Sequence, residues 1–159
     1  MIFFDTSVVV KAYVMENGSD EVRATFVELK GSLYLTPHVV LEVLSAFAKK
    51  MRSDQLNEGV YRAVRRAFLA ELSTLNVLPL ELEVFTAAGE LIDRHRSVAA
   101  GAMDVLHVAS ALHLQATWPQ EPVIVASSDR AFLSLARATG LRTFDPETES
   151  FSQLQARLG

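Results

Sequence analysis

Short apolar runs (IFF, LYL, VLPL, VIVA and LRTF) alternate along this chain with longer stretches of helical periodicity. That alternation constrains the fold more than any other feature. Strands separated by helices build an α/β layer structure with a largely parallel sheet. The expected strands are Ile2–Phe4, Leu33–Leu35, Val77–Leu80, Val123–Ala126 and the "LRTF" run, with Pro79 pointing to a sheet edge for the third. Thr6 or Ser7 is expected to cap a first helix, and Ser19 a second that runs to about Lys30 and ends at Gly31. Thr36-Pro37 is a strong start signal for a helix to about Met51, and another is expected from about Gln55 to Ser73. Two more are read at about 82–95 and 101–116, and a further one from the Ser127-Ser128-Asp129 caps to near Gly140.

No repeat, low-complexity tract or linker interrupts the 159 residues, so one domain spanning 1–159 is expected, with 146–159 as a tail forming a frayed helix or arm. The apolar runs are too short and too often broken by charge to span a membrane. The amino terminus meets an acid at position 5 with no basic region before it, which is unlike a secretory signal. The chain has no cysteine, excluding disulfides, thiolate metal sites and Cys nucleophiles. A cytoplasmic protein is the expectation. The net charge of −4 is awkward for a partner rich in phosphate. Basic residues do cluster, as Lys49/Lys50/Arg52, Arg62/Arg65/Arg66 and Arg94/His95/Arg96, a pattern equally at home on solvated helix faces.

Four acids stand out. Asp5 ends the first apolar run and Asp129 follows the fourth after two serines, so both belong to the carboxyl edge of a parallel sheet, where sites form. If strands one and four are neighbours, these two converge. Glu42 and Asp104 lie inside helical stretches among apolar residues, with no Lys or Arg at helical spacing from either. An enclosed carboxylate needs compensation, and a bound cation supplies it. Each acid also has a plainer reading. Asp5 and Asp129 suit helix caps, Asp104 suits the start of a helix, and Glu42 suits the margin of an amphipathic face.

The segments "IFFDTSVVV", "LTPHVVLEVLSAF", "AMDVLHVASAL" and "VASSDRAFLSLARATGL" resemble, in order and spacing, the four motifs of PIN domains, and most closely the VapC-like toxins of toxin–antitoxin modules. The resemblance covers essentially the whole chain. It implies a five-stranded parallel sheet of order 3-2-1-4-5 flanked by helices. It carries the family's acids onto Asp5, Glu42, Asp104 and Asp129, and its hydroxyls onto Thr6 and Ser127. Extra length before the third motif and at the tail, and Ser127 where Thr is commoner, are the departures.

The chemistry follows from the residue types. Clustered carboxylates repel, and a hard divalent cation, Mg²⁺ or Mn²⁺, removes that repulsion while keeping several waters. Such an ion activates water and neutralises a phosphodiester. The expected activity is therefore metal-dependent hydrolysis of RNA, an endoribonuclease with Asp5, Asp104 and Asp129 as ligands. Glu42 is either a further ligand or the group that orients water. Thr6 and Ser127 would hydrogen-bond a phosphate or a carboxylate. His107 is either a base or a packed structural residue, and Arg130 either contacts RNA phosphate or simply starts its helix. The resemblance further implies a cognate antitoxin that inserts Arg or Lys among the acids. The apolar helices at 37–51 and 55–73 offer surfaces for that partner or for a homodimer, and otherwise pack into the core. A catalytically silent PIN-like module that binds RNA or a partner is the alternative. Haloacid-dehalogenase and receiver-domain chemistry fit poorly, because position 7 is Ser rather than Asp and "VASSD" lacks the strand-end Lys.

Overall fold

The computed structural model describes residues 1–158. Strand β1 (Ile2–Phe4) leads through Asp5 into α1 (Thr6–Tyr13), followed by α2 (Ser19–Glu28). Strand β2 (Leu33–Leu35) precedes α3 (Pro37–Arg52) and α4 (Glu58–Glu71). Strand β3 (Asn76–Val77) precedes α5 (Leu82–Arg94) and α6 (Ala102–Thr117). Strand β4 (Ile124–Ala126) is followed by α7 (Arg130–Ala138), and β5 (Arg142–Phe144) by α8 (Phe151–Ala156). Every pairing is parallel and the order is β3-β2-β1-β4-β5, the order the family resemblance implied.

The central strand explains the layering. Side chains alternate across a sheet, so Ile2 and Phe4 pack on one face with α1, α2, α3, α4 and α8. Phe3 packs on the other with α5, α6 and α7. On β4 the same alternation puts Ile124 and Ala126 with the first layer and Val125 with the second. Both faces of these strands are covered, which is why they read as unbroken apolar runs rather than alternating ones.

Several boundaries differ from the sequence expectation, each for a local reason. Neither Thr6 nor Ser7 caps α1: Asp5 does, accepting from the Ser7 N–H. Gly18, at φ +80, is the N-cap of α2, and Ser19 instead turns its hydroxyl back to bond Glu16 N–H and Val14 C=O. Helix α2 stops at Glu28, where Leu29 packs against the core and one 3-10 turn (Lys30–Ser32) closes the chain into β2. Helix α4 starts at Glu58 because Asn57 caps it, accepting from Val60 N–H at 2.9 Å. Strand β3 ends at Val77, two residues before Pro79, which has no N–H to offer a ladder.

The carboxyl-terminal segment is not frayed over its described part. Helix α8 has a capping box between Ser150 and Gln153, and Leu154 is fully buried beneath it. Phe151 N–H donates to Glu21 of α2 at 2.5 Å. Gly159, the last residue of the expected tail, lies outside the described residues. No helix among the described residues is long and apolar enough to cross a membrane.

The contact between the α1–α2 connection and this segment gives a stability prediction. A Cβ at Gly18 would lie 2.5 Å from Pro146 C=O, at a left-handed φ of +80. Gly140 has a similar φ of +86 but open space around it. Gly18→Ala should cost about 2 kcal/mol or more, a fall of roughly 4–8 °C in Tm, since clash adds to strain. Gly140→Ala should cost only about 1 kcal/mol. Equal thermal melts for the two variants would contradict the fold description at this contact.

Candidate active site

The site begins where the central strands end. Asp5 N–H donates to Ala126 C=O at 3.0 Å, carrying the β1–β4 ladder one residue past the strand. Ser127 N–H does the same toward Phe144 C=O of β5 at 3.1 Å. Asp5 and Ser127 are thereby neighbours at the carboxyl edge of the sheet. Both are buried. Asp5 Oδ2 accepts from Ser127 Oγ at 2.8 Å, from Ser7 Oγ at 2.7 Å and from Ser7 N–H at 3.3 Å. Ser7 Oγ in turn accepts from Ser128 N–H at 3.0 Å, and Ser127 Oγ accepts from Asp129 N–H at 2.9 Å. This lattice of hydroxyls fixes the turn after β4 onto the turn after β1.

The other two aspartates sit at helix starts. Asp129 is the N-cap of α7, its Oδ1 accepting from Ala131 N–H at 2.7 Å and Phe132 N–H at 3.0 Å. Asp104 lies in the first turn of α6, and its Oδ2 reaches back to Gly101 N–H at 2.8 Å. Among the described residues, Asp104 Oδ1 and Asp129 Oδ2 take no hydrogen bond, while Asp5 Oδ1 has only His107 Nε2 nearby, at 3.8 Å.

Glu42 comes from the second turn of α3. Its Oε2 accepts from Thr6 Oγ1 at 2.5 Å and lies 3.1 Å from His107 Nε2. A cavity of about 350 Å³ is lined by Asp5, Glu42, Asp104 and Asp129 together, with Thr6, Ser7, Val10, Glu16, Ala46 and Lys50 completing the wall. A cleft of similar size, about 360 Å³, lies between the amino ends of β4 and β5, but no acid lines it.

The electrostatics separate the acids. Burial raises the Asp104 carboxyl; the Gly101 N–H opposes this, but the charges of Asp5 and Asp129 reinforce it and the balance is upward. Burial pushes Glu42 upward too, but hydrogen bonds from His107 and Thr6 outweigh it and hold the carboxyl below its ordinary value. His38, on the first turn of α3, is lowered to about 4 by burial and by its neighbour His107.

The residues singled out in the sequence fall into two groups. Asp5, Glu42, Asp104, Asp129 and Thr6 meet at the cavity, and Ser127 supports it from beneath. His107 is 1% exposed, between the edges of Phe3 and Phe132, so it holds Glu42 rather than reaching the cavity. Arg130 is exposed at the start of α7 and does not line the cavity. Sequence reasoning missed Ser7 and Lys50 as parts of this site. The first follows Asp5 at the spacing of a hydroxyl turn. The second lies with Ala46 on the Glu42 stripe of α3 (i, i+4, i+8), a signal that was there to read. Lys50 is held at the wall by Glu16, which also pairs with buried Lys11.

Solved structures of this shape are known. FitAcB from Neisseria gonorrhoeae superposes with a TM-score of 0.70 at 20% identity, covering 94% of this chain and 100% of that one. A toxin–antitoxin complex from Klebsiella pneumoniae gives 0.63 at 12% identity, over 92% and 98%. VapC20 of Mycobacterium tuberculosis, a Sarcin-Ricin loop cleaving toxin, gives 0.62 at 15% identity, over 84% and 94%. At these identities the likeness is one of fold. No curated protein sequence matches the chain. The sequence itself places it more closely: a family model, that of the PIN domain, matches residues 2–138, and the chain belongs to the PIN domain family.

Proposed function

We propose that this protein is a metal-dependent endoribonuclease, the toxin of a VapBC-type toxin–antitoxin pair. One observation carries the reading. Asp5, Asp104 and Asp129 each commit one carboxylate oxygen to the fold and leave the other without a hydrogen bond among the described residues, all at one cavity. Three hard anionic oxygens with room for water suit Mg²⁺ or Mn²⁺, which prefer oxygen donors and keep part of their hydration. These aspartates would hold the ion. When bound, such a cation lowers the pKa of water and offsets charge on a phosphodiester.

The chain's own residues supply position and proton transfer. Glu42 is held ionised by His107 and Thr6, and its Oε1 takes no hydrogen bond among the described residues. It serves as the base that orients the attacking water and accepts its proton. Ser7 and Ser127 lock the Asp5 rotamer. Lys50 at the wall offers a cation to an RNA phosphate, and Arg130, one residue beyond Asp129, meets the backbone outside the cavity.

An antitoxin would block this site by placing an Arg or Lys among the same acids, and the likeness to a toxin–antitoxin complex supports such a partner. Leu82, Phe85 and Ile92 leave an exposed apolar stripe on α5, the surface proposed for a homodimer. Helices α3 and α4, also expected from the sequence to offer such a surface, bury Val39, Val43, Phe47, Val64 and Phe68 in the core. They expose Leu41, Val60 and Leu69, divided between two helices rather than along one.

Incubation with total RNA tests the activity. Cleavage should require Mg²⁺ or Mn²⁺ and stop with EDTA. Asp5→Asn and Glu42→Gln should each slow it on the order of 100-fold or more. Calorimetry should show Mn²⁺ binding kept in Glu42→Gln and lost in Asp5→Asn. Cleavage indifferent to EDTA would sink the mechanism. Metal binding without cleavage across a wide RNA panel would instead identify a silent PIN module.

Asp104 offers a test that needs no substrate. Its folded carboxyl titrates above the unfolded value of 3.8. Its ionisation therefore disfavours the metal-free fold, and this contribution to stability falls as pH rises from about 3.8 through the raised folded value. Asp104→Asn keeps an acceptor for Gly101 N–H while removing the charge. At pH 7 the metal-free variant should melt above wild type, and Mg²⁺ should raise the wild-type Tm far more than the variant's. The opposite order of metal-free melts would show that Asp104 is not electrostatically strained.

A further inference from the structure

We infer that the protein carries a second metal site, built from His38, Glu42 and His107, that takes a borderline ion of the Zn²⁺ class. His38 and Glu42 are four residues apart on α3, on one helix face, and His107 reaches them from α6. His107 Nε2 is 3.2 Å from His38 Nε2 and 3.1 Å from Glu42 Oε2, and the three atoms all lie within 4.8 Å of one another. Tetrahedral zinc with bonds of about 2.0–2.1 Å places its ligand atoms about 3.3 Å apart. The observed spacing therefore needs little adjustment to seat an ion.

Protons alone leave one buried atom of this cluster, His38 Nδ1, without a partner among the described residues. If His107 donates from Nε2 to Glu42, it has nothing to give His38 Nε2. Its Nδ1 then takes the hydroxyl proton of Thr36, 3.3 Å away, so Thr36 has none for His38 either. A proton on His38 Nε2 can be donated to Thr36 Oγ1 over 3.4 Å, but it faces the His107 proton across 3.2 Å and leaves the buried His38 Nδ1 as a bare acceptor. A proton on His38 Nδ1 has no partner at all. A cation here would replace the close Nε2–Nε2 contact with two donor bonds to one ion, while the His38 Nδ1 proton stays without a partner among the described residues, as it does without the ion. The His107 Nδ1–H is then free to donate to Thr36 Oγ1, the outer-shell bond that usually orients a ligating imidazole. Thr36 is the N-cap of α3 yet makes no side-chain cap bond, so its hydroxyl is available for that role.

Two nitrogens and one carboxylate oxygen select a softer ion than the oxygen set of Asp5, Asp104 and Asp129. The site goes beyond the nuclease reading and shares with it Glu42 and the histidine that positions it, His107. A zinc-class ion bound there withdraws Glu42 from the acid cavity.

Co²⁺ titration followed by visible absorption tests the assignment without any RNA. Four-coordinate Co²⁺ absorbs strongly, whereas Co²⁺ in an oxygen-only octahedral site is nearly colourless. Wild type and Asp129→Asn should both develop the strong bands, and Zn²⁺ should bleach them. His38→Ala should lose them and weaken Zn²⁺ binding by calorimetry on the order of 100-fold. His38→Asn, which keeps a small polar side chain, should behave alike, and circular-dichroism melts of both variants would show that the fold is retained. No strong bands in wild type, or bands that survive in both folded His38 variants, would overturn the site. Loss of RNA cleavage would leave this outcome untouched, so the two readings fail separately.

Discussion

Three helices begin at the same cavity, and an aspartate closes each beginning. Asp5 caps α1, Asp129 caps α7 and Asp104 reaches back to the N–H just before α6. The first turn of a helix leaves backbone N–H groups unpaired and carries partial positive charge. That charge favours carboxylates gathering here. A cap of this kind contributes about 1 kcal/mol, enough to offset part of the repulsion but not all of it, as the upward shift of Asp104 records. Convergence of the helix starts depends in turn on β1 and β4 being neighbours, because the backbone bond from Asp5 to Ala126 puts the first two turns side by side.

This geometry dissolves an opposition that the sequence invites. Asp5, Asp104 and Asp129 each read either as a cap or as a site residue, and both readings hold at once. A carboxylate has two oxygens, and each of these residues gives one to the backbone. Sequence periodicity located the strands because both faces of the central ones are covered, and it located Asp5 and Asp129 because both follow such runs. It could not show that Ser7 and Ser127 bond the same oxygen of Asp5, since that contact joins residues 120 positions apart. Helix ends were the least legible part. They turn on which nearby polar side chain wins the cap, as Asn57 does for α4 and Gly18 for α2.

Helix α6 shows how a weak sequence signal can conceal a strong constraint. Its residues from Val105 to Ala111 are all buried, so no amphipathic stripe marks its orientation. Orientation is set by polar anchors instead. Asp104 ties its start to Gly101, and His107 ties its first turns to Thr36 and Glu42 across the layer boundary. A buried imidazole between Phe3 and Phe132 has few positions open to it, so Glu42 inherits that rigidity. The one glutamate of the site is thus held by a fully enclosed histidine.

The far wall of the cavity is built by charge rather than packing. Lys50 pairs with Glu16, Glu16 with Lys11, and Lys11 with Glu147, an alternating chain from α3 through the α1–α2 connection to the segment after β5. Lys11 is 4% exposed, where a lone ammonium would be costly, and both carboxylates compensate it. Burial raises the Glu16 carboxyl, but the two lysines outweigh that and hold its pKa below the ordinary value, keeping it ionised. Gly18 meets Pro146 at the same seam, where a side chain would not fit. The segment after β5 is therefore part of the site's architecture although it contributes no residue to the cavity: Asp145 Oδ1 accepts from Glu147 N–H at 3.0 Å, Glu147 pairs with Lys11, and Lys11 with the Glu16 that holds Lys50 beside the acids.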